Sequence, residues 1–94
     1  MRIEIEYSTA AESRLYEIVE DLWDVSARAA ETFSEAHDKA ISQLLQFPES
    51  GTDHPDGFRS IRISRTPYRL VYTIVGSRLT VTNVFDARSN ARMR

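Results

Sequence analysis

Arginine is the residue type in this sequence that is best suited to bind a charged ligand. The chain contains eleven arginines and one lysine, and eight of the arginines lie in residues 51–94. That half carries a net charge of +5, whereas residues 1–50 carry −7. A planar guanidinium group donates two parallel hydrogen bonds to a phosphate or a carboxylate. The pattern therefore indicates a negatively charged partner for the second half, with solubility of an exposed sheet face as the simpler alternative.

Arg69 is the arginine whose position most needs an explanation. It lies within a predicted strand, residues 68–75, where a long charged side chain is costly unless its head group reaches water or a partner. In a regular strand Arg59 and Arg62 point to opposite faces, so one of them could join Arg69 and Arg88 in a cationic groove. Such a groove would suit phosphate groups or a carboxylate-rich peptide.

The other side chains that could do chemistry have simpler explanations. His37 lies on the apolar side of a predicted helix and is expected to pack there, and His54 is expected to be a solvated loop residue. Trp23 extends an apolar helical stripe together with Tyr16, which favours contact with the core or with a partner. A group of four carboxylates wraps around the same helix and is expected to be a solvated face: Glu17, Glu20, Asp21 and Asp24.

Several classes of site are excluded by what the sequence lacks. It contains no cysteine, no phosphate-binding loop, no dinucleotide motif and no zinc-hydrolase or acyl-transfer motif. We therefore expect neither a metal nor a cofactor.

Two helices are expected to position the candidate residues. Thr9 and Glu12 have the spacing of a capping box, which predicts the start of the first helix, and Ser26 is the expected N-cap of the second. Phe47 and Pro48 end the second helix because proline excludes its predecessor from the α region. The connection between the helices is short, so they are expected to form an antiparallel hairpin.

The remaining residues predict four strands. Alternation around residues 3–7 indicates the first, and a loop follows the helices at 48–57. Gly76 and Ser77 are expected to form a two-residue hairpin turn of the type with glycine first. Two strands, 68–75 and 78–85, are predicted on either side of this turn, and a third, 58–64, is predicted before them. The predicted fold class is α+β, with the order β-α-α-β-β-β and the helical hairpin packed on one face of a mostly antiparallel four-stranded sheet.

Length and composition agree with one small domain. The chain has 94 residues, 41 % hydrophobic and 28 % charged, which predicts a single domain over residues 1–94 with a flexible polar tail at 86–94. No apolar run approaches the roughly 18 residues that a membrane span requires. We therefore expect a cytoplasmic protein that does not associate with membranes.

Four segments of the chain resemble the RelE/ParE superfamily of toxins from bacterial type II toxin–antitoxin modules, also known as plasmid stabilisation proteins. They are an alanine-rich stretch at 10–18, the end of the second helix at 41–51, and the strand segments 57–63 and 67–72. The resemblance covers residues 3 to about 88 and includes the order of the elements. It implies a growth-arresting toxin that assembles with a small antitoxin encoded next to it.

Two activities dominate the superfamily, and the resemblance does not choose between them. Nuclease members cleave mRNA on the ribosome, and Arg69 matches their charge-stabilising strand arginine; Arg62, Arg88 and Asp86 would be the other catalytic candidates. Those members also place a histidine or tyrosine after the last strand, whereas this chain has Asp86 and Ala87. An arginine next to Asp86 would lower its pKa and make it a poor base. This departure, with the pI of about 5.6, favours ParE-like inhibition of DNA gyrase.

Two further classes remain as alternatives to an active toxin. One is a non-toxic remnant that only binds antitoxin, and the other is an unrelated adaptor whose basic sheet face binds an acidic peptide.

In the toxin–antitoxin interpretation, the antitoxin is expected to supply an acidic tail that folds on binding. The predicted target- or antitoxin-binding residues are Arg59, Arg62, Arg69, Arg88 and Trp23.

Overall fold

A computed structural model of the protein describes residues 2–88. Two helices and five strands follow in the order β1 (Glu4–Tyr7), α1 (Thr9–Val25), α2 (Ala27–Gln46), β2 (Thr52–Asp53), β3 (Arg59–Arg62), β4 (Tyr68–Val75) and β5 (Arg78–Asp86). The fold class is α+β, as predicted. Most of the predicted tail, 89–94, lies outside the described residues.

The sheet has five strands, so the prediction of four was wrong. Its order is β1-β5-β4-β3-β2, with β1 parallel to β5 and all other neighbours antiparallel. The additional strand, β2, lies within the predicted loop 48–57 and pairs with β3 through Thr52 and Asp53. A two-residue strand without large apolar side chains gives no alternation signal, and only its pairing with β3 defines it.

The helical hairpin forms as predicted, but α1 has a different N-cap. Ser8, not Thr9, caps this helix: its Oγ accepts a hydrogen bond of 3.1 Å from the backbone N–H of Ala11. The same hydroxyl donates to the carbonyl of Thr82 on β5, at 3.2 Å, which ties the start of α1 to the sheet. Ser26 is the N-cap of α2, as predicted, and its Oγ accepts from Ala29 at 3.0 Å.

The core lies between the hairpin and one face of the sheet. In β4, Leu70 and Tyr72 are fully buried in the core, with Tyr68 and Ile74 packed against it, while Val71 is buried on the opposite face of the sheet. The helices contribute both small and large side chains, and β3, β5 and the β3–β4 turn add the rest of the core: Ala11, Ile18, Phe33, Ala36, Ala40, Leu44, Ile61, Ile63, Leu79, Val81 and Val84.

A bulge in β5 determines which side chains share the open face of the sheet. The pairing steps from Val71 with Asn83 to Tyr72 with Val81, so Thr82 is an extra residue. Beyond this bulge, Val84 shares the core face with Leu70, whereas Phe85 lies opposite Arg69 on the other face. Within residues 2–88, no helix is long and apolar enough to cross a membrane.

Candidate functional site

Among the described residues, four arginines line one groove where the β3–β4 turn meets the end of β5. The groove has a volume of about 560 Å³, and Thr66, Pro67 and Ala87 complete its lining. The four are Arg62, Arg65, Arg69 and Arg88. Three of them were predicted binding residues, and the structure brings these three together. Arg65 is an addition that no periodicity in the sequence indicates.

The strand register places two of these arginines side by side. Arg62 on β3 is directly opposite Arg69 on β4, on the face of the sheet that the helices do not cover. Like charges directly opposite each other destabilise an antiparallel pair. A bound anion between the two guanidinium groups would remove that repulsion. The pairing therefore favours an anion site over a surface that serves only solubility.

A tight turn presents Arg65 at the edge of the groove. Arg65 has a φ of 65°, in the left-handed region that costs most residues about 1–2 kcal/mol. The turn is held by Thr66, whose hydroxyl donates to the carbonyl of Ile63 at 2.7 Å and accepts from the backbone N–H of Tyr68 at 3.1 Å. These two hydrogen bonds keep an otherwise unfavourable conformation in place and fix the direction in which the chain carries Arg65.

A buried serine holds the guanidinium group of Arg69. Ser60 is fully buried, and its Oγ accepts hydrogen bonds from Nε of Arg69 at 3.2 Å and from Nη2 at 3.0 Å. Nε2 of His54 lies 2.9 Å from the same oxygen, and the ring of His54 stacks on Phe58 with centroids 4.6 Å apart. His54 lies in the loop between β2 and β3, as expected, but it is half-buried and not simply solvated, because the β2–β3 pairing brings it against the sheet.

Arg88 is held at the groove by the carboxylate of Asp86. Its guanidinium donates from Nε to Oδ1 at 3.2 Å and from Nη2 to Oδ2 at 3.0 Å, and its backbone N–H donates to Oδ1 at 2.8 Å. These hydrogen bonds, with the charges of Arg88 and Arg14, lower the pKa of Asp86 below its usual value. By the strand register Asp86 shares its face with Tyr68, on the helical side, and it does not line the groove.

With this geometry established, comparison with known proteins identifies the family. The family model of the ParE toxin of the type II toxin–antitoxin system parDE matches residues 5–91. The chain belongs to this family. The resemblance to the RelE/ParE superfamily is thereby confirmed. No curated protein gave a significant sequence match.

Solved structures show the same fold at low sequence identity. The chromosomal ParDE toxin–antitoxin system from P. aeruginosa has a TM-score of 0.73 at 14 % identity, over 90 % of this chain and 96 % of that chain. The YoeB/ParE toxin from Agrobacterium tumefaciens has a TM-score of 0.61 at 20 % identity, over 87 % and 95 %. The E. coli DinJ–YafQ toxin–antitoxin complex has a TM-score of 0.62 at 10 % identity, over 94 % and 96 %.

The fourth predicted arginine of this ParE family member lies apart from the groove. Arg59 is opposite Tyr72 and does not line the groove. Its Nη1 donates to the backbone carbonyls of Glu49 at 3.1 Å and Gly51 at 3.2 Å. These contacts hold the loop after α2 and give Arg59 a structural role, while a binding role for it stays a prediction.

Trp23 also lies apart from the groove of the ParE family member. It is 54 % exposed and lines a depression on the helical hairpin that shares no residue with the groove. The other lining residues are Ala30, Glu31, Ser34, Glu35 and Asp38. The surroundings of Trp23 are therefore acidic and would suit a basic partner segment, whereas the groove would suit an acidic one.

His37 packs as predicted. Its Nε2 lies 2.9 Å from the hydroxyl of Tyr7, and its ring is next to Phe33, with centroids 6.4 Å apart. Within residues 2–88, no cluster of three or more histidine, aspartate or glutamate side chains could hold a metal ion.

An apolar cavity adjoins the arginine groove, and neither its position nor its lining follows from sequence periodicity. It has a volume of about 400 Å³ and lies between the start of α2 and the β3–β4 turn. Leu22, Ala29 and Phe33 supply apolar surface, and Arg28 adds a cation to the lining besides Arg65. Arg65, Thr66 and Pro67 line both the cavity and the groove. The two surfaces are therefore continuous.

Proposed function

We propose that this chain is the toxin of a type II toxin–antitoxin module, neutralised by a cognate antitoxin, and that it arrests growth by ParE-like inhibition of DNA gyrase. The observation that carries the proposal is the chemistry of the groove. Among the described residues, its lining consists of four arginines with Thr66, Pro67 and Ala87. Such a lining can bind anionic surface but offers no side chain that titrates near neutral pH.

RNA cleavage is the less favoured activity because of the acid–base chemistry that it requires. A 2′-hydroxyl must lose a proton and a leaving oxygen must gain one. Asp86 has a lowered pKa, lies outside the groove lining and is hydrogen-bonded to Arg88, so it is a poor general base. A RelE-like mRNA endonuclease remains the alternative, and the observation that favours it is His54, which is linked to Arg69 through Ser60.

The same surfaces suit an acidic antitoxin segment with a large apolar anchor. Its carboxylates would pair with Arg62, Arg69 and Arg88 in the groove, and its apolar side chain would enter the adjoining cavity. Bidentate arginine–carboxylate pairs add geometric specificity to charge attraction, and a tail that folds on binding can cover both surfaces at once. The toxin would then be part of a cytoplasmic hetero-oligomer.

The deciding experiment is to induce the chain alone in a bacterial host. Growth, a DNA-damage reporter and mRNA integrity should be followed together, and the purified protein should be added to gyrase in a supercoiling assay. Arrest with filamentation, DNA damage, intact mRNA and blocked supercoiling supports the gyrase proposal. Rapid mRNA loss with normal supercoiling contradicts the gyrase proposal and supports the nuclease alternative. Growth without arrest indicates a non-toxic remnant that binds antitoxin.

Arg69→Ala is the informative variant, and Arg78→Ala is its matched control. Arg78 lies at the start of β5, outside the groove lining, with its Nε 3.7 Å from Glu6. Loss of the Arg69 guanidinium should weaken arrest or lower antitoxin affinity about tenfold, since hydrogen bonds to charged groups contribute about 1.5–3 kcal/mol. Arg69→Lys should restore only part of the effect because the planar fork is absent. Equal behaviour of the Arg69 and Arg78 variants would contradict the proposal.

A further inference from the structure

We propose that Ser60 and His54 are positioning residues for Arg69, and that the protonation state of His54 determines whether the guanidinium of Arg69 stays docked on the hydroxyl oxygen of Ser60. This inference builds on the proposed role of Arg69 in anion binding. It concerns how the guanidinium is held and does not depend on the target of the toxin.

The hydrogen atoms around Ser60 can be assigned from the donors available. Arginine only donates, so Oγ of Ser60 accepts from both Nε and Nη2 of Arg69, and its two lone pairs are used. The hydroxyl proton is then available for Nε2 of His54, 2.9 Å away. This arrangement requires a neutral His54 with an unprotonated Nε2 and the ring proton on Nδ1.

The hairpin between β2 and β3 holds the imidazole in place. The backbone N–H of His54 donates to the carbonyl of Phe58 at 2.9 Å, and the N–H of Gly57 donates to the carbonyl of His54 at 3.1 Å. The ring of Phe58 lies nearly parallel to the imidazole, at an interplanar angle of 16°. The ring of His54 is therefore fixed relative to Ser60 by its own loop.

Protonation of His54 changes this network because Nε2 then becomes a donor. Ser60 would face an imidazolium N–H and two guanidinium N–H groups with only two lone pairs to offer, and its own hydroxyl proton would lose its acceptor. Two positive charges would also converge on one oxygen. The charged residues around His54 are Asp53 and Asp56 on its own hairpin, Arg59 opposite Asp53 on β3, and Arg69 on β4. The outcome expected on protonation is that Nε and Nη2 of Arg69 leave the Oγ of Ser60, while Nη2 can still donate to the carbonyl of Ser60, 3.4 Å away, and to Oγ1 of Thr52, 3.5 Å away.

The test is to follow the Nε–H group of Arg69 by nuclear magnetic resonance in the full chain with ¹⁵N-labelled arginine. Loss of one signal in Arg69→Lys assigns it. The pH is lowered from about 8 to about 5, the range in which histidines titrate. In the wild-type protein, the Arg69 signal should move towards the position of solvent-exposed arginines in step with the ring signals of His54.

Four variants separate positioning from a general effect on the fold. His54→Gln should give an Arg69 signal that does not depend on pH. Ser60→Ala should give a solvent-like signal at every pH, and Ser60→Thr, which keeps the hydroxyl, should restore the wild-type response. His37→Gln is the matched control, because His37 contacts Tyr7 and Phe33, and it should keep the wild-type response.

Two results would overturn the inference. One is an Arg69 signal that responds to pH equally in the wild type and in His54→Gln. The other is a wild-type Arg69 signal that stays constant while His54 titrates. If Ser60→Ala does not fold, these two measurements still decide the question. Neither measurement needs antitoxin or gyrase, so a failure here is distinguishable from a failure of the proposed function.

Discussion

The helix-covered face of the sheet and the two exposed arginines of the groove, Arg62 and Arg65, use their polar groups in opposite ways. On the covered face, the hydroxyl of Tyr72 accepts from the backbone N–H of Gly51 at 3.0 Å and donates to the carbonyl of Pro48 at 2.8 Å. Arg59, on the same face, donates to two backbone carbonyls. In the groove, Arg62 and Arg65 are exposed, and their side chains make no hydrogen bond or ion pair within residues 2–88.

This difference separates groups that stabilise the fold from groups that are available for a partner. The chain's own backbone uses the polar groups of the covered face, because buried donors and acceptors must be paired. The groove instead keeps two arginines opposite each other and a third in a left-handed turn, both of which reduce stability. Changes on the covered face should therefore alter stability, and changes in the groove should alter binding.

Gly51→Ala should give the largest effect, on the covered face. A Cβ atom at this position would lie within 3.0 Å of the Tyr72 hydroxyl and of the carbonyl of Ser60, so the loop or the tyrosine must move. Overpacking of this kind costs about 3 kcal/mol of unfolding free energy. Urea unfolding measures it. Gly57→Ala is the control, because its Cβ meets open space and its φ of 85° predicts a smaller loss of about 1–2 kcal/mol. A larger loss at Gly57 would contradict this explanation.

Tyr72→Phe should give the next largest effect. It leaves the buried backbone N–H of Gly51 without its acceptor, which costs about 2 kcal/mol.

Burial is the main cause of the raised pKa of Tyr72, so the folded protein retains the phenolic proton at a pH where the unfolded chain loses it. The stability from this group is therefore complete below about pH 10 and lost as the pH rises through the folded-state pKa. Unfolding at alkaline pH should show a weaker pH dependence in Tyr72→Phe than in the wild type, and an equal dependence would refute this assignment.

Arg59→Gln and Arg62→Gln form a matched pair that tests the comparison directly. Arg59→Gln should lower the unfolding free energy by about 1 kcal/mol, because two carbonyls lose a donor, and should leave antitoxin affinity unchanged. Arg62→Gln should raise stability by a few tenths of a kcal/mol, since it removes the charge opposite Arg69, and should weaken antitoxin binding about tenfold. Thermal unfolding and titration calorimetry measure both. Weaker binding by the Arg59 variant would show that the two surfaces are not separate.

Arg65→Gly and Arg65→Ala isolate the effect of the backbone conformation of the turn. Both variants lack the guanidinium, so both should bind antitoxin more weakly to the same extent. Glycine adopts a φ of 65° without a steric penalty, so Arg65→Gly should be more stable than Arg65→Ala by about 1 kcal/mol. Chemical unfolding of the two proteins side by side gives this difference. Equal stability would mean that the turn changes conformation when Arg65 is replaced.

Most predictions that depended on neighbouring residues were confirmed, whereas the N-cap at Thr9 and the four-stranded sheet were wrong because contacts distant in sequence decided them. Ser26, the end of α2 at Gln46 and the strand Tyr68–Val75 followed from local spacing. Gly76 has a φ of 61° in a turn with glycine first, also as predicted. Ser8 replaces Thr9 as the N-cap because its hydroxyl also reaches Thr82, 74 residues away in sequence. No local pattern contains that contact.

The candidate site shows the same division. The sequence by itself determined that the second half is rich in arginine and that Arg69 lies within a strand. Only the tertiary structure decided that Arg62, Arg69 and Arg88 share a groove with Arg65 while Arg59 does not, and that Ser60 contacts both Arg69 and His54. The physical reason is that strand register and the bulge at Thr82 select the face on which each side chain lies, and a slip of one residue would reverse that choice.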